Sequence, residues 1–206
     1  QRIDEYQTNL NENIQWFKNN SEFTEKNDEI TSMLYRIKEA CIEEKTNSCF
    51  FKTSCLDLFN TTLLGFTYKS DFETSNKLDS IQPINDFIKN KGGDCEDYAL
   101  FYKAQFNELK KVCAEKNKPI EIETFELGKG GELYYVDALN SWYYDNAVPI
   151  NLDKNNNPVI ICWTEFNANQ EPVSGHCVLS FTASKIQGIE NLDLLNQAPL
   201  MEPQKG

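Results

Sequence analysis

Lys91-Gly92-Gly93-Asp94-Cys95-Glu96-Asp97-Tyr98-Ala99-Leu100 is the stretch on which both the fold and the chemistry turn. Two glycines break whatever precedes them. A helix predicted from Cys95 onward then carries an apolar stripe at Cys95, Tyr98/Ala99, Tyr102, Phe106, Leu109 and Val112/Cys113. That spacing sets the thiol on the core-facing edge of the first turn. There it meets unpaired backbone N–H groups and the positive end of the helix dipole, which favour a thiolate and an oxyanion alike. A thiol also needs a base, and the chain holds a single histidine, His176, in Ser174-Gly175-His176-Cys177-Val178-Leu179. An imidazole accepts a proton near neutral pH more readily than any other unperturbed side chain, so the candidate base is unique.

Upstream of this stretch the pattern is helical. Ile3, Tyr6, Leu10, Ile14 and Phe17 recur at helical spacing, as do Ile30, Met33, Leu34, Ile37 and Cys41, with breaks at 19–21 and 46–48. A third helix is expected over Leu56–Leu64, and Gln82-Pro83 opens a short one through Ile84, Phe87 and Ile88. After Lys116-Asn117-Lys118-Pro119 the signals are those of strands: Ile120–Leu127, Leu133–Leu139, Trp142–Tyr144, Val159–Trp163 and Cys177–Phe181. Gly128–Gly131 reads as a turn, Asn151–Asn157 as a loop, and Pro199–Pro203 as a last short strand. Helices first and an antiparallel sheet second define an α+β class.

With 206 residues, 40% of them hydrophobic, the chain can bury a real core. Its net charge of −12 repels phosphate backbones and excludes nucleic acid as a partner class. No apolar run reaches the roughly 18 residues that span a bilayer. The sequence opens Gln1-Arg2-Ile3, which favours removal of a leader over its never having existed. Seven cysteines are an odd count. Three disulfides and one free thiol suit an oxidising compartment, extracellular or periplasmic; seven reduced thiols suit the cytoplasm. Cys49 and Cys55 form the best local disulfide candidate. A zinc site is excluded by one histidine and no CxxC spacing. The glycosylation sequons at Asn19 and Asn60 are of the kind an Asn-rich chain produces by chance.

Asp94, Glu96 and Asp97 crowd the nucleophile and have two readings. Asp94 can cap the helix with Asp97 closing a box, and Glu96 can favour the dipole. Three carboxylates beside a thiol should also raise its pKa, a penalty that a bound cation would cancel.

These residues carry a resemblance. Gly93-Asp94-Cys95-Glu96-Asp97-Tyr98-Ala99-Leu100 resembles the cysteine motif of the transglutaminase-like superfamily, in particular its bacterial transglutaminase-like cysteine peptidases. Gly175-His176-Cys177-Val178-Leu179 is similar to that family's Gly-His-Ala-Val-Leu strand, and Ile81-Gln82-Pro83 with Phe87 fits the segment leading into the motif. The resemblance implies a papain-like core over residues 61–206, with the nucleophile helix packed on an antiparallel sheet; it does not extend to residues 1–60, whose helical spacing marks them as a helical N-terminal subdomain. It implies a Cys95–His176–acid triad acting on a protein or peptide substrate through an acyl-enzyme, with no cofactor needed for the chemistry. It also implies calcium on Asp94, Glu96 and Asp97. The family's orienting Asp-Pro is matched by Glu202-Pro203, which makes Glu202 the expected third member and Asp193 the reserve. Acyl transfer to an amine would use the same parts, and a non-catalytic binding module could keep the same fold.

Overall fold

Helix α6 (Cys95–Glu115) is buried along most of its length, and the rest of the molecule is arranged around it. Beyond the expected stripe, Leu100, Phe101 and Ala104 are also buried, because α6 is covered on more than one face. On one side it meets the main sheet; on another it meets the N-terminal helices. The computed structural model describes residues 2–122, 133–136, 139, 141–144, 157–182, 184, 186–198 and 200–203. Mixed helices and strands establish the α+β class.

The main sheet is antiparallel throughout. Its strands are β6 (Leu133–Val136), β7 (Ser141–Tyr144), β8 (Asn157–Phe166), β9 (Pro172–Thr182) and β10 (Leu200–Met201), in the order β10-β9-β8-β6-β7. The long β8–β9 hairpin is apolar on both faces. Ile160, Cys162, Cys177, Leu179 and Phe181 join the core around α6, while Val159, Ile161 and Val178 pack with Ile186 and Leu195 behind the sheet. Two covered faces explain why Val159–Trp163 and Cys177–Phe181 read as continuous apolar runs rather than alternating ones.

Helices α1 (Arg2–Asn19) and α2 (Asp28–Cys41) form as expected, the second capped by Asn27, whose side chain accepts the Ile30 N–H. The reading of residues 1–64 as helices alone fails in between. A hairpin of β1 (Ile42–Glu44) and β2 (Cys49–Phe51) intervenes, and β5 (Ile120–Ile122) pairs with β2 in parallel instead of joining the main sheet. Strands of three residues are too short to show a period of two, so the sequence pattern hides them. Helix α3 (Thr53–Leu58) runs on into a π-helical turn at Phe59–Leu63, within which the expected boundary after residue 60 falls. One buried hydrophobic cluster extends from Phe17 to Met201.

Disulfides account for this arrangement. The pairs are Cys41–Cys55, Cys49–Cys113 and Cys162–Cys177, so the expected local Cys49–Cys55 bridge does not form. Cys49–Cys113 ties β2 to the end of α6 across 64 residues, a closure worth about 4 kcal/mol in the chain-entropy account. Asn60, in the second sequon, is fully buried and exchanges two hydrogen bonds with Gln105, so the fold closes it to glycosylation. The expected turn at 128–131 and loop at 151–156, and the strand expected beyond Ile122, lie outside the described residues. Among the described residues no helix is long and apolar enough to cross a membrane.

The approach to α6 is tightly built. Helix α4 (Asp71–Ser75) starts at a Ser70/Glu73 capping box, and α5 (Ile84–Asn90) ends with Lys91 in the left-handed region. Gly92 and Gly93 (β4) then pair in parallel with Thr67 and Tyr68 (β3). Gly92 has φ +140°, and a Cβ there would lie 1.8 Å from the Thr67 carbonyl oxygen. Gly65, with φ +70°, has open space around its Cβ position. Gly92→Ala is therefore expected to destabilise by at least about 2 kcal/mol and Gly65→Ala by about 1 kcal/mol, measured by urea unfolding; equal costs would contradict this account.

Candidate active site

The helix start is braced from beneath. Asp97 accepts the Asp94 backbone N–H, the Gln82 backbone N–H at 2.6 Å and the Gln82 side-chain amide. Gln82 in turn accepts from Asn90 at 2.7 Å and donates to the Gly92 carbonyl at 3.3 Å. A Cβ on Gly93 would lie 2.2 Å from Asp97 Oδ2 and 2.6 Å from Gln82 Nε2. Both glycines are buried, so they serve the packing of this junction against its own chain. Asp97 thus completes half of the expected capping box. The other half is missing: Asp94 occupies the N-cap position with extended backbone, yet its side chain makes no capping bond.

Cys95 is the one unpaired cysteine and is partly buried at the first residue of α6. Its sulfur accepts the backbone N–H groups of Glu96 and Cys177, donates to Glu96 Oε2 at 3.2 Å, and lies 3.9 Å from the Gly175 carbonyl oxygen. The residues on either side of His176 therefore both touch the thiol. Burial, followed by the charge of Asp94, pushes the Cys95 thiol up to about 12. The donors around the sulfur, the Glu96 carboxylate among its partners, do not overcome that burial.

His176 stands on β9 and bonds through Nε2 to Glu202 Oε2. Sheet register explains the meeting: β10 pairs Met201 with Leu179, which brings the next residue, Glu202, alongside the histidine end of β9. Trp163, opposite His176 on β8, sets its ring edge-to-face with the imidazole at 4.8 Å between centroids. Asp193 is exposed on the 3-10 helix Ile189–Gln197.

Asp94 turns into a cluster of acids instead of capping its helix. Carboxylate oxygens of Asp71, Asp94 and Glu96 lie within 4.8 Å of one another. Asp71 is 3% exposed, and both Asp71 Oδ1 and Asp94 Oδ1 are buried without a hydrogen-bond partner. Asp79 adjoins through Glu96 and is held by Asn13 at 2.8 Å. Burial raises every member: Asp71 to about 7, and Asp79, Asp94 and Glu96 in the same direction. The charge of Asp97 further raises Asp71 and Asp94. Oxygens sharing one calcium ion stand no more than about 5 Å apart, so this set fits the ion's donor type and spacing. Of the three acids expected to share a cation, Asp94 and Glu96 stand together with Asp71, while Asp97 is engaged by Gln82. The sulfur of Cys177, also near Glu96, is committed to its disulfide and is no ligand.

Asp71, Asp79 and Trp163 carry no local signal. Asp71 looks like an ordinary first-turn acid of α4, and only the tertiary structure brings its carboxylate to those of Asp94 and Glu96. No protein-family model matches the chain, and no curated protein or solved structure matches it.

The acids set a pH dependence. Asp71 near 7 and Asp97 near 6 keep protons in the folded state that the unfolded chain releases near pH 4. Their folded values are raised, so the stability they confer is complete below about pH 4 and is lost as pH rises through about 6 to 7. Chelator-treated protein should show a Tm that falls by about 5 °C or more between about pH 5 and about pH 7.5. Millimolar calcium should restore it at the upper end. A Tm flat over that window and indifferent to calcium would leave the cluster without this role.

Proposed function

We propose that this chain is a cysteine-dependent amide hydrolase, an endopeptidase on a papain-like core of the transglutaminase-like superfamily, with Cys95, His176 and Glu202 as its triad. One observation carries the reading. Of seven cysteines the single unpaired one begins the central helix, against the strand that bears the only histidine, and a carboxylate holds that histidine's Nε2. Three disulfides suit an extracytoplasmic setting.

Glu202 holds Nε2, so Nδ1 is the imidazole nitrogen that would have to serve Cys95; in the resting structure the two side chains make no hydrogen bond and the thiol proton goes to Glu96 instead. His176 takes the thiol proton, and the sulfur attacks the carbonyl carbon of an amide. The oxyanion formed is received by N–H groups of the first turn of α6. His176 then returns the proton to the leaving amine, and water cleaves the thioester to free the acid and the thiol. An amine in place of water gives acyl transfer on the same parts.

The carboxylates enter through the resting thiol. Its proton is directed at Glu96 Oε2, and Asp94 raises its pKa. Asp71, Asp94 and Glu96 would hold calcium, with Asp79 behind them. A calcium ion held there would supply positive charge that offsets Asp94 and competes for the Glu96 carboxylate, to which the thiol proton is directed. The protonated resting thiol favours a second reading, a non-catalytic binding module, and the two readings part on reactivity.

With calcium present, an iodoacetamide probe should modify Cys95 alone, and His176→Ala should slow that modification at neutral pH by at least about tenfold. Glu202→Gln should leave the Tm unchanged yet cut turnover of fluorescently labelled casein by about two to four orders of magnitude. A Cys95 that is inert, or whose labelling ignores His176, would favour the binding module.

A further inference from the structure

The triad does not use the Cys162–Cys177 disulfide, yet that bridge lies against the candidate nucleophile. Cys162 and Cys177 stand directly opposite each other on β8 and β9. The Cys95 sulfur is within 4.8 Å of the Cys177 sulfur and accepts the Cys177 N–H. The three sulfurs therefore form a row, Cys95 then Cys177 then Cys162. Cys162 and Cys177 are only 6% and 5% exposed, which shields their bridge from bulk thiols. Cys95, partly exposed and next in the row, is placed to reach it.

We propose that Cys95 and the Cys162–Cys177 bridge form a thiol–disulfide relay that stores the nucleophile reversibly as a Cys95–Cys177 disulfide. The proposal rests on the reading of Cys95 as the nucleophile of the site. In the forward step the Cys95 sulfur attacks Cys177 Sγ. The Cys95–Cys177 bond forms as the Cys162–Cys177 bond breaks, and the electron pair leaves on Cys162. The proton lost by Cys95 ends on Cys162. One disulfide replaces another, so no oxidant or reductant is consumed. Attack of Cys162 back on Cys177 returns the free Cys95. Only Cys177 is accessible to such an exchange, because the other bridges, Cys41–Cys55 and Cys49–Cys113, belong to the β1–β2 region and the far end of α6. In the masked form the sulfur that would attack an amide is bonded to the strand carrying its own base. The site is thereby switched off without damage to the fold.

Sulfur connectivity tests this without a substrate. Cys162→Ala leaves Cys95 and Cys177 as the two thiols. Oxidised glutathione should close them into an intramolecular bridge, seen as a linked peptide by mass spectrometry after non-reducing digestion, with Cys95 alkylation reduced at least about tenfold and restored by dithiothreitol. Separate glutathione adducts on each cysteine of the folded variant, with no linked peptide, would overturn the relay. If the variant does not fold, the wild-type chain decides. After incubation with trace mercaptoethanol and acid quenching, a Cys95–Cys177 peptide should accompany an equal fraction of alkylated Cys162, and absence of both would overturn the relay. Cys95 that labels with iodoacetamide in a His176-dependent way but never bridges would sink the relay alone. Cys95 that bridges but labels independently of His176 would instead remove the hydrolase reading.

Discussion

Asp97 holds the start of the central helix. Its carboxylate collects the backbone of Asp94, the backbone of Gln82 and the Gln82 amide, and through Gln82 it also fixes Asn90 and Gly92. A buried carboxylate so fully hydrogen-bonded is stable where a bare one would not be. With this brace in place the chain must turn through Gly92 and Gly93 with no room for a Cβ on either, and α6 must begin at Cys95. The position of the thiol, its distance from β9 and the direction of Asp94 all follow from that constraint.

Asp94 makes no capping bond to α6 and turns its carboxylate inward toward Asp71 and Glu96. Two buried oxygens without partners are an unusual expense in a folded protein. Asp94 of this cluster adds to the burial that raises the Cys95 thiol, and Glu96 accepts the thiol's proton. Structure and proposed chemistry thus meet at one point: whatever neutralises these acids also changes the reactivity of Cys95. The Cys162–Cys177 bridge lies against the same sulfur, where the proposed relay would act through covalent connectivity rather than charge.

The opposite side of the site depends on sheet register. His176 lies on the face of β9 that also carries Val178, and Glu202 arrives there because β10 pairs with β9 at Leu179 and Ser180. Trp163 sits across from the imidazole by the same register. A one-residue slip of β10 would turn Glu202 to the other face and leave His176 without its carboxylate.

Local features of the molecule were legible in the sequence. Helical spacing marks α1, α2 and α6, the Gly-Gly break marks where α6 begins, and an odd cysteine count accommodates one unpaired thiol. These signals lie within a few residues of one another, where propensity and periodicity act. What depended on distant partners was not legible. Cys49 lies near Cys55 along the chain, yet bonds to Cys113, because β2 and the end of α6 are neighbours only after the core has formed. Strand β5 follows the same rule in leaving the main sheet for β2. Asp71 and Asp97 look equivalent as first-turn acids, and only the packing of α4 and Gln82 around α6 decides that one joins the acid cluster and the other braces the helix. The sequence alone thus determined which residue types and local elements were available for a site. The tertiary structure decided which of them share a volume, because carboxylate, thiol and disulfide chemistry depend on distances of a few ångströms that no local pattern encodes.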